Sequence, residues 1–258
     1  MKTLKVKTLS AHNCYTTPPP PPDFVLPGLR MGSVGMLSGP GGIGKSMLAL
    51  QIAIDVSCGS NLAGLSVGSQ GRVLLLNAED PGAAILHRMW SAGQRLSNEE
   101  RSLSEKNLKI ASLYGSDADI MKASLQDLIQ SQAHGSRLVI VDTLRSFHRL
   151  DERSPEAMLS VMEYFRALCR RCKTSVLILH RFHPGHAWPL ERRPRLHMVL
   201  LSPKPAPDSE HGNEQARRVV LSCDGGDFQE EDLPAPDKLY QRGEGGLLQA
   251  IPSQPKSL

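Results

Sequence analysis

Aromatic residues and long apolar runs are both scarce in this sequence of 258 residues. Phe, Trp and Tyr make up 4% of the chain, so Leu, Ile, Val, Ala and Met must supply most of a buried core. No apolar run approaches the roughly 18–20 residues that a helix needs to cross a bilayer. Residues 1–8 contain no apolar stretch of signal-peptide length. We therefore expect a soluble, cytoplasmic protein.

The five cysteines form neither a disulfide framework nor a zinc site. An odd number of cysteines is typical of a reduced, intracellular protein. Cys169 and Cys172 lie one helical turn apart, but no second pair has zinc-site spacing, which favours two positions on one helix face. A helix that aligned His180, His183 and His186 would be broken by the Pro-Gly pair between them. We expect no metal site of this kind.

Five consecutive prolines, Pro18 to Pro22, are the first clear punctuation of the chain. Such a run forms an extended polyproline segment that cannot join a helix or a central strand. Residues 1–22 are therefore predicted to be an arm outside the core. The arm is either a spacer or a segment that packs on a neighbouring subunit, and the proline run fits both.

Apolar runs without alternation indicate strands that are covered on both faces. They alternate with segments of helical pattern, which predicts an α/β fold with a mostly parallel central sheet, flanking helices and right-handed crossovers. The predicted strands are residues 33–38, 72–77, 138–142 and 175–180. The predicted helices are residues 45–57, a segment opening at Pro81, and residues 120–131 and 155–172.

The character of the chain changes at about Arg181. Prolines recur there with Arg and His between them, and residues 181–216 carry no clear helix or strand pattern. Ordered structure is predicted again at residues 217–222 and 238–248. We divide the chain into the arm, a main domain at 23–250 that includes this atypical segment, and a tail at 251–258.

Gly39 to Ser46 satisfies the pattern of Gly, four residues, then Gly-Lys-Ser. Its glycines let backbone N–H groups wrap phosphates, and the helix that follows aims its positive end at them. We predict that Lys45 binds the β- and γ-phosphates of ATP and that Ser46 binds Mg²⁺. The predicted nucleotide-binding residues are Gly39, Pro40, Gly41, Gly42, Ile43, Gly44, Lys45, Ser46 and Met47. An Asn-Lys-x-Asp element, which reads guanine, does not occur in the sequence.

Ligands of open parallel sheets lie beyond the carboxyl ends of the strands. Asp142 ends one predicted strand, and we expect it to hold Mg²⁺ together with Ser46. Glu79 and Asp80 follow another strand. We interpret Asp80 as the cap of the helix at Pro81 and Glu79 as the base that activates water. His180 ends a third strand, where it either donates to the γ-phosphate or is structural.

Four segments together resemble the RepA-type plasmid replicative helicases of the RecA/DnaB-like superfamily. They are Pro18 to Pro27, the loop 39–46 with Met47-Leu-Ala-Leu-Gln, Ala78-Glu-Asp-Pro81, and Val141-Asp-Thr-Leu-Arg-Ser-Phe-His148. The resemblance implies a hexameric ring that hydrolyses ATP at subunit interfaces and moves along single-stranded DNA, with plasmid replication proteins as partners.

The resemblance also implies a role for individual residues. Lys45 and Ser46 match the phosphate loop, Glu79 the catalytic glutamate, Asp142 the magnesium aspartate and His180 a sensor histidine. In that family the amino-terminal arm packs on the adjacent subunit.

Residues 181–217 depart from the family, which has channel-facing loops and an arginine segment here, whereas residues 238–250 resemble it again. A divergent loop and a compensated reading-frame shift in the gene both account for this. The basic and aromatic side chains of the segment either track a DNA strand by charge and stacking or belong to a solvated loop. They are Arg181, Phe182, Trp188, Arg192, Arg193, Arg195 and Lys204.

The resemblance favours an ATP-driven hexameric helicase or translocase. The alternative is a RecA-like ATP-binding regulator or DNA-binding ATPase that does not unwind DNA. A small-molecule kinase is a weaker third reading, because it needs a substrate lid and gives the polyproline arm no role.

Overall fold

A large central sheet organises the protein. The computed structural model describes residues 8, 10–181, 196–202, 218–224 and 238–251. The strands are β1 (Phe24–Leu26), β2 (Leu29–Arg30), β3 (Val34–Gly39), β4 (Arg72–Asn77), β5 (Leu108–Ser112), β6 (Ser136–Asp142), β7 (Ser175–Arg181), β8 (Leu196–Leu201), β9 (Arg218–Asp224), β10 (Lys238–Arg242) and β11 (Leu248–Ile251). Within these residues, nine strands form one sheet in the order β11-β10-β9-β8-β3-β7-β6-β4-β5, and β1 pairs with β2 in a hairpin.

The sheet is mostly parallel, as predicted. The six strands from β8 to β5 in this order pair in parallel, and β8, β9, β10 and β11 pair in an antiparallel run at the opposite edge. Parallel strands need a crossover connection, which the helices between them supply. The α/β fold class predicted from the alternating pattern is confirmed.

Helices cover both faces of the sheet. They are α2 (Lys45–Cys58), α3 (Gly82–Gly93), α4 (Asn98–Asn107), α5 (Ala123–Ala133) and α6 (Pro155–Cys172), whereas the short helix α1 (Ala11–Thr16) has no buried side chain and does not pack on the sheet. One apolar core lies between the sheet and α2, and a second lies between the opposite face and helices α5 and α6. Among the described residues, no helix is long and apolar enough to span a membrane.

Helices α2 and α6 follow their sequence signals closely. Nearly every side chain of α2 is buried, and the helix ends at Gly59, whose φ of 79° is in the left-handed region. In α6 the Ser154 hydroxyl accepts from the Ala157 N–H, and Pro155 takes the first position. Its predicted apolar face is buried, and Cys169 and Cys172 belong to that face.

Four elements of the structure, α5, α4, β5 and β8, differ from the sequence prediction or were not predicted. Helix α5 begins at Ala123 rather than at residue 120, because the Ile120 N–H donates to the Phe147 carbonyl and the helix starts after Lys122. Helix α4 and strand β5 were not predicted. Strand β8 lies inside the segment for which the sequence indicated no structure. Arg181, the first residue of that segment, ends β7 instead. Residues 182–195 and 203–216, with Phe182, His183, His186, Trp188, Arg192, Arg193, Arg195 and Lys204, are outside the described residues.

The amino-terminal segment lies outside the core wherever the structure describes it. Residues 8 and 10–22 are all exposed, and none of the side chains of α1 is buried. The prolines at 18–22 belong to neither a helix nor a strand. The segment therefore has little contact with the body of its own chain.

Candidate functional site

The carboxyl ends of four parallel strands meet at one edge of the sheet. Gly39 of β3 lies beside Arg181 of β7, and Ser38 lies beside His180. Asn77 of β4 lies beside Asp142 of β6. The residues that follow these strands are thereby brought to one place, as the strand-end argument predicted.

The loop from Gly39 to Ser46 connects β3 to α2. The Lys45 ammonium donates to the carbonyl oxygens of Gly39 and Pro40, each at 2.8 Å, which holds it inside the loop. Gly42 and Gly44 have φ values of 71° and 110°, which favour glycine and turn the backbone around the loop. Ile43 packs its side chain into the core, so it presents only its backbone to a ligand. Such a loop before a helix is a cradle for phosphates.

Ser46 and Asp142 form the second part of the site. The Ser46 hydroxyl donates to an oxygen of the Asp142 carboxylate at 3.1 Å. Burial raises the pKa of Asp142 to about 7, with Glu79 and Asp80 adding to the shift, while the Ser46 hydrogen bond and Arg88 oppose it. A hydroxyl and a carboxylate side by side fit Mg²⁺, which takes few protein oxygens and completes its shell with phosphate and water.

The electrostatics of Lys45 depend on three charged neighbours. Burial, and next the Arg181 guanidinium, lower the pKa of Lys45, whereas Glu79 and Asp142 raise it. No group of three or more His, Cys, Asp or Glu side chains able to hold a metal occurs among the described residues. Ser46 and Asp142 are the side chains that would hold Mg²⁺ here, and the phosphates of a nucleotide would complete its shell.

Glu79 and Asp80 lie just after β4 and have different surroundings. Glu79 is exposed and lines the cavity above the loop. Asp80 does not cap the helix that follows, which corrects the sequence interpretation: the helix starts after Pro81 without a side-chain cap. Asp80 instead accepts from Arg88 Nη1 at 2.5 Å, because α3 brings Arg88 back over the end of β4.

An open cavity of about 320 Å³ lies over these groups, which is at the lower end of the range for small-molecule sites. Its walls come from the loop, the end of β4, α3, the end of β7 and the turn before β11. The lining residues are Gly41, Gly42, Gly44, Lys45, Ser46, Met47, Glu79, Asp80, Arg88, Thr143, Arg181, Gly245 and Gly246.

His180 lies behind this cavity rather than on its wall. Its Nε2 is 3.7 Å from the Glu152 carboxylate, and Nε2 of the buried His148 is 3.6 Å from the same carboxylate. Burial, together with His197, Lys45 and His148, lowers the pKa of His180 to about 4, so the ring is neutral at pH 7. A neutral imidazole can donate one hydrogen bond and accept another.

A family model described as an AAA domain matches residues 1–187. The match includes the loop, Glu79, Asp142 and His180, and it covers well over half of the 258 residues. The chain belongs to this family. It therefore carries a P-loop ATPase domain of the RecA/DnaB-like type, which binds a nucleotide and typically Mg²⁺ with it.

Several residues that line the cavity were not predicted from the sequence as site residues. Arg88 reaches the cavity from a position two helical turns after Asp80, a spacing with no distinctive sequence signal. Gly245 and Gly246 come from a turn far away in the chain. Arg181 directly follows the strand-end histidine, so the strand-end rule applied one residue further identifies it.

The carboxyl-terminal hairpin, formed by β10 and β11, is hydrogen-bonded to the phosphate loop and to α2. Arg242 Nη2 donates to the Gly42 carbonyl at 2.6 Å. The Gln51 side chain donates to the Leu62 and Leu248 carbonyls and accepts from the Leu248 N–H. The hairpin, which lies outside the residues that the family model matches, therefore supports α2 and the phosphate loop.

Proposed function

We propose that the protein is an ATP-driven hexameric helicase or translocase that acts on single-stranded DNA, of the RepA plasmid-replication type. The observation that carries this proposal is the arrangement around the phosphate loop. Lys45, Ser46, Glu79 and Asp142 converge from three strand ends, in the order and with the motifs of the RepA-type helicases. The assignment of single-stranded DNA as the substrate comes from the resemblance of residues 15–180 to these helicases.

Each group has a chemical task in the hydrolysis of ATP. The loop amides and Lys45 bind the phosphates, and Ser46 and Asp142 hold the magnesium ion that neutralises them. Glu79 is exposed at the cavity and accepts a proton from the attacking water. Asp80, by contrast, is engaged by Arg88.

Two features favour assembly into a ring. The arm at residues 10–22 has no buried residue in its own chain, and Glu79 and Arg181 stand exposed on an open cavity. A neighbouring subunit that covered the cavity would exclude water from the reacting phosphate, which strengthens electrostatic interactions there.

The test combines size with activity. We expect light scattering after size-exclusion chromatography to show a hexamer with ATP and Mg²⁺. Single-stranded DNA is expected to stimulate ATP hydrolysis, and a forked duplex to be separated in an ATP-dependent manner. Lys45→Ala is the control, because removal of the ammonium should abolish nucleotide binding and every activity that follows from it.

Two outcomes separate this proposal from its alternative. ATP binding and DNA binding without strand separation would indicate the RecA-like regulator or non-unwinding ATPase. A monomer at saturating ATP whose hydrolysis is unaffected by single-stranded DNA would rule out the motor.

A further inference from the structure

Strand β7 continues one residue past His180. Its parallel pairing with β3 sets Ser38 beside His180 and Gly39 beside Arg181. Arg181 is therefore level with the first residue of the phosphate loop. This register places its backbone at the loop rather than in the segment beyond it.

The alternation of side chains along β7 sends Arg181 and His180 to opposite faces of the sheet. Leu177 and Leu179 belong to the core that contains α2, and Val176 and Ile178 belong to the core that contains α6. By this alternation Arg181 lies on the face of α2 and the phosphate loop. His180 lies on the other face, which agrees with its position behind the cavity wall.

The Arg181 guanidinium lies directly against the loop. A Cβ placed on Gly41 would overlap the guanidinium, so the absence of a side chain at Gly41 makes the contact possible. Arg181 also lines the cavity together with Lys45, Ser46 and Glu79. A second arginine on the wall, Arg88, is held by Asp80.

The positive charge at the phosphate loop favours the binding of an anion. Lys45 and Arg181 both line the cavity, so two cationic side chains face the same space. Two neighbouring cations repel each other, and a polyanion bound between them relieves that repulsion. A planar guanidinium with several donors is well suited to phosphate oxygens.

We propose that Arg181 binds the terminal phosphates of ATP in its own subunit, as a second cation beside Lys45. This inference rests on the proposed ATP site. In hydrolysis the water oxygen bonds to the γ-phosphorus, one water proton passes to Glu79, and the bond from the γ-phosphorus to the β–γ bridging oxygen breaks, with its electron pair leaving on the ADP oxygen. Arg181 stabilises the negative charge that develops on the phosphate oxygens.

The first experiment measures nucleotide affinity in Arg181→Ala, Arg181→Lys and the wild type. We expect Arg181→Ala to weaken binding of a fluorescent non-hydrolysable ATP analogue about tenfold, as for the loss of one charge-assisted hydrogen bond. ADP binding should weaken less, and Arg181→Lys should recover part of the loss. Arg170→Ala, an exposed arginine on α6, is the matched control. Equal weakening for ATP and ADP, or unchanged ATP affinity, would overturn the assignment.

A second experiment tests whether Arg181 acts in its own subunit. Lys45→Ala and Arg181→Ala are each expected to lose hydrolysis. When they are mixed, a cis-acting arginine leaves every site defective, so no activity returns. Recovery on mixing would show that Arg181 serves the neighbour's site and would refute the cis assignment.

The two proposals fail in different ways. If ATP affinity depends on Arg181 but DNA stimulates no hydrolysis, the motor fails and the arginine assignment stands. If the wild type unwinds DNA and Arg181→Ala binds ATP normally, only the arginine assignment fails.

Discussion

At the scale of single residues, Glu79 is the group on which hydrolysis should depend most specifically. It lines the cavity without forming part of the phosphate loop. Glu79→Gln keeps the size of the side chain but cannot accept a proton from water. We expect nucleotide affinity to change little and the hydrolysis rate to fall by about 10²–10⁴-fold, measured by phosphate release.

Asp80→Asn is the matched control for Glu79→Gln, because Asp80 is the adjacent acid and is paired with Arg88. We expect a smaller loss of hydrolysis in this variant. Normal turnover in Glu79→Gln, or a larger loss in Asp80→Asn, would contradict the assignment of the base.

His180 makes a prediction about stability and pH. Its pKa is lowered from 6.5 to about 4 by burial and by His197, Lys45 and His148, although the nearby Glu152 carboxylate favours the charged form. Below pH 6.5 the histidine of the unfolded chain takes up a proton that the buried ring of the folded protein does not. The stability that the neutral ring contributes is therefore complete above pH 6.5 and is lost as the pH falls towards 4. At pH 5 the loss amounts to about 2 kcal/mol.

Urea unfolding at pH 7 and pH 5 measures this contribution. His180→Asn does not titrate, so the stability of the wild type relative to this variant should decrease between the two pH values. His148, whose pKa burial also lowers, adds to the pH dependence that both proteins share. His87→Asn, at an exposed histidine, is the matched control. A constant difference between wild type and His180→Asn would contradict the prediction.

The strand-end rule predicted much of the site because it depends only on local sequence and on sheet geometry. In the structure Asp142 is hydrogen-bonded to Ser46, and Glu79 lines the cavity, at the strand ends that the rule indicated. Asp80 could not be assigned in the same way, since its partner Arg88 depends on the path of α3. His180 was predicted at the right edge, but which face it uses depends on the side-chain alternation and on the packing of α6.

At the scale of elements, the attachment of the carboxyl-terminal hairpin to α2 depends on Gln51. This side chain is 1% exposed and makes three hydrogen bonds, to the Leu62 carbonyl and to the backbone of Leu248. Gln51→Leu keeps the approximate volume and removes every bond. We expect the free energy of unfolding to fall by at least about 2 kcal/mol, because backbone groups are left buried without these partners.

Gln94→Leu provides the control for Gln51→Leu, since Gln94 is exposed at the end of α3. It should change the free energy of unfolding by no more than about 0.5 kcal/mol. Both are measured by chemical denaturation. Equal stabilities of the two variants would show that the Gln51 contacts contribute little.

Elements were predictable where the chain is buried and missed where it is half-exposed. Helix α4 has one buried residue, Ser104, and β5 is only partly buried, so neither carries an apolar period. Helix α4 does carry one local signal: a capping box, in which the side chains of Ser97 and Glu100 accept from each other's backbone N–H, identifies the start of the helix. The antiparallel strands β9, β10 and β11 were located approximately, but their pairing is a long-range property.

At the scale of the whole molecule, the arm at residues 1–22 should matter for assembly and not for folding. Its described part is exposed throughout, and Tyr15 is 87% exposed. Deletion of residues 1–22 should therefore leave the free energy of unfolding of the monomer within about 0.5 kcal/mol of the full chain. If the arm packs on a neighbouring subunit, the same deletion removes that contact.

Light scattering at equal protein concentration, with ATP and Mg²⁺, tests this second effect. We expect the shortened chain to shift towards smaller species and to lose DNA-stimulated hydrolysis while it still binds ATP, since the phosphate loop is distant from the deletion in sequence and does not use the arm. Tyr15→Ser is a milder variant that should weaken assembly if this exposed aromatic ring enters the contact. A shortened chain that forms the same assembly would show that the arm is a spacer, and the open cavity would then have to be covered through other surfaces.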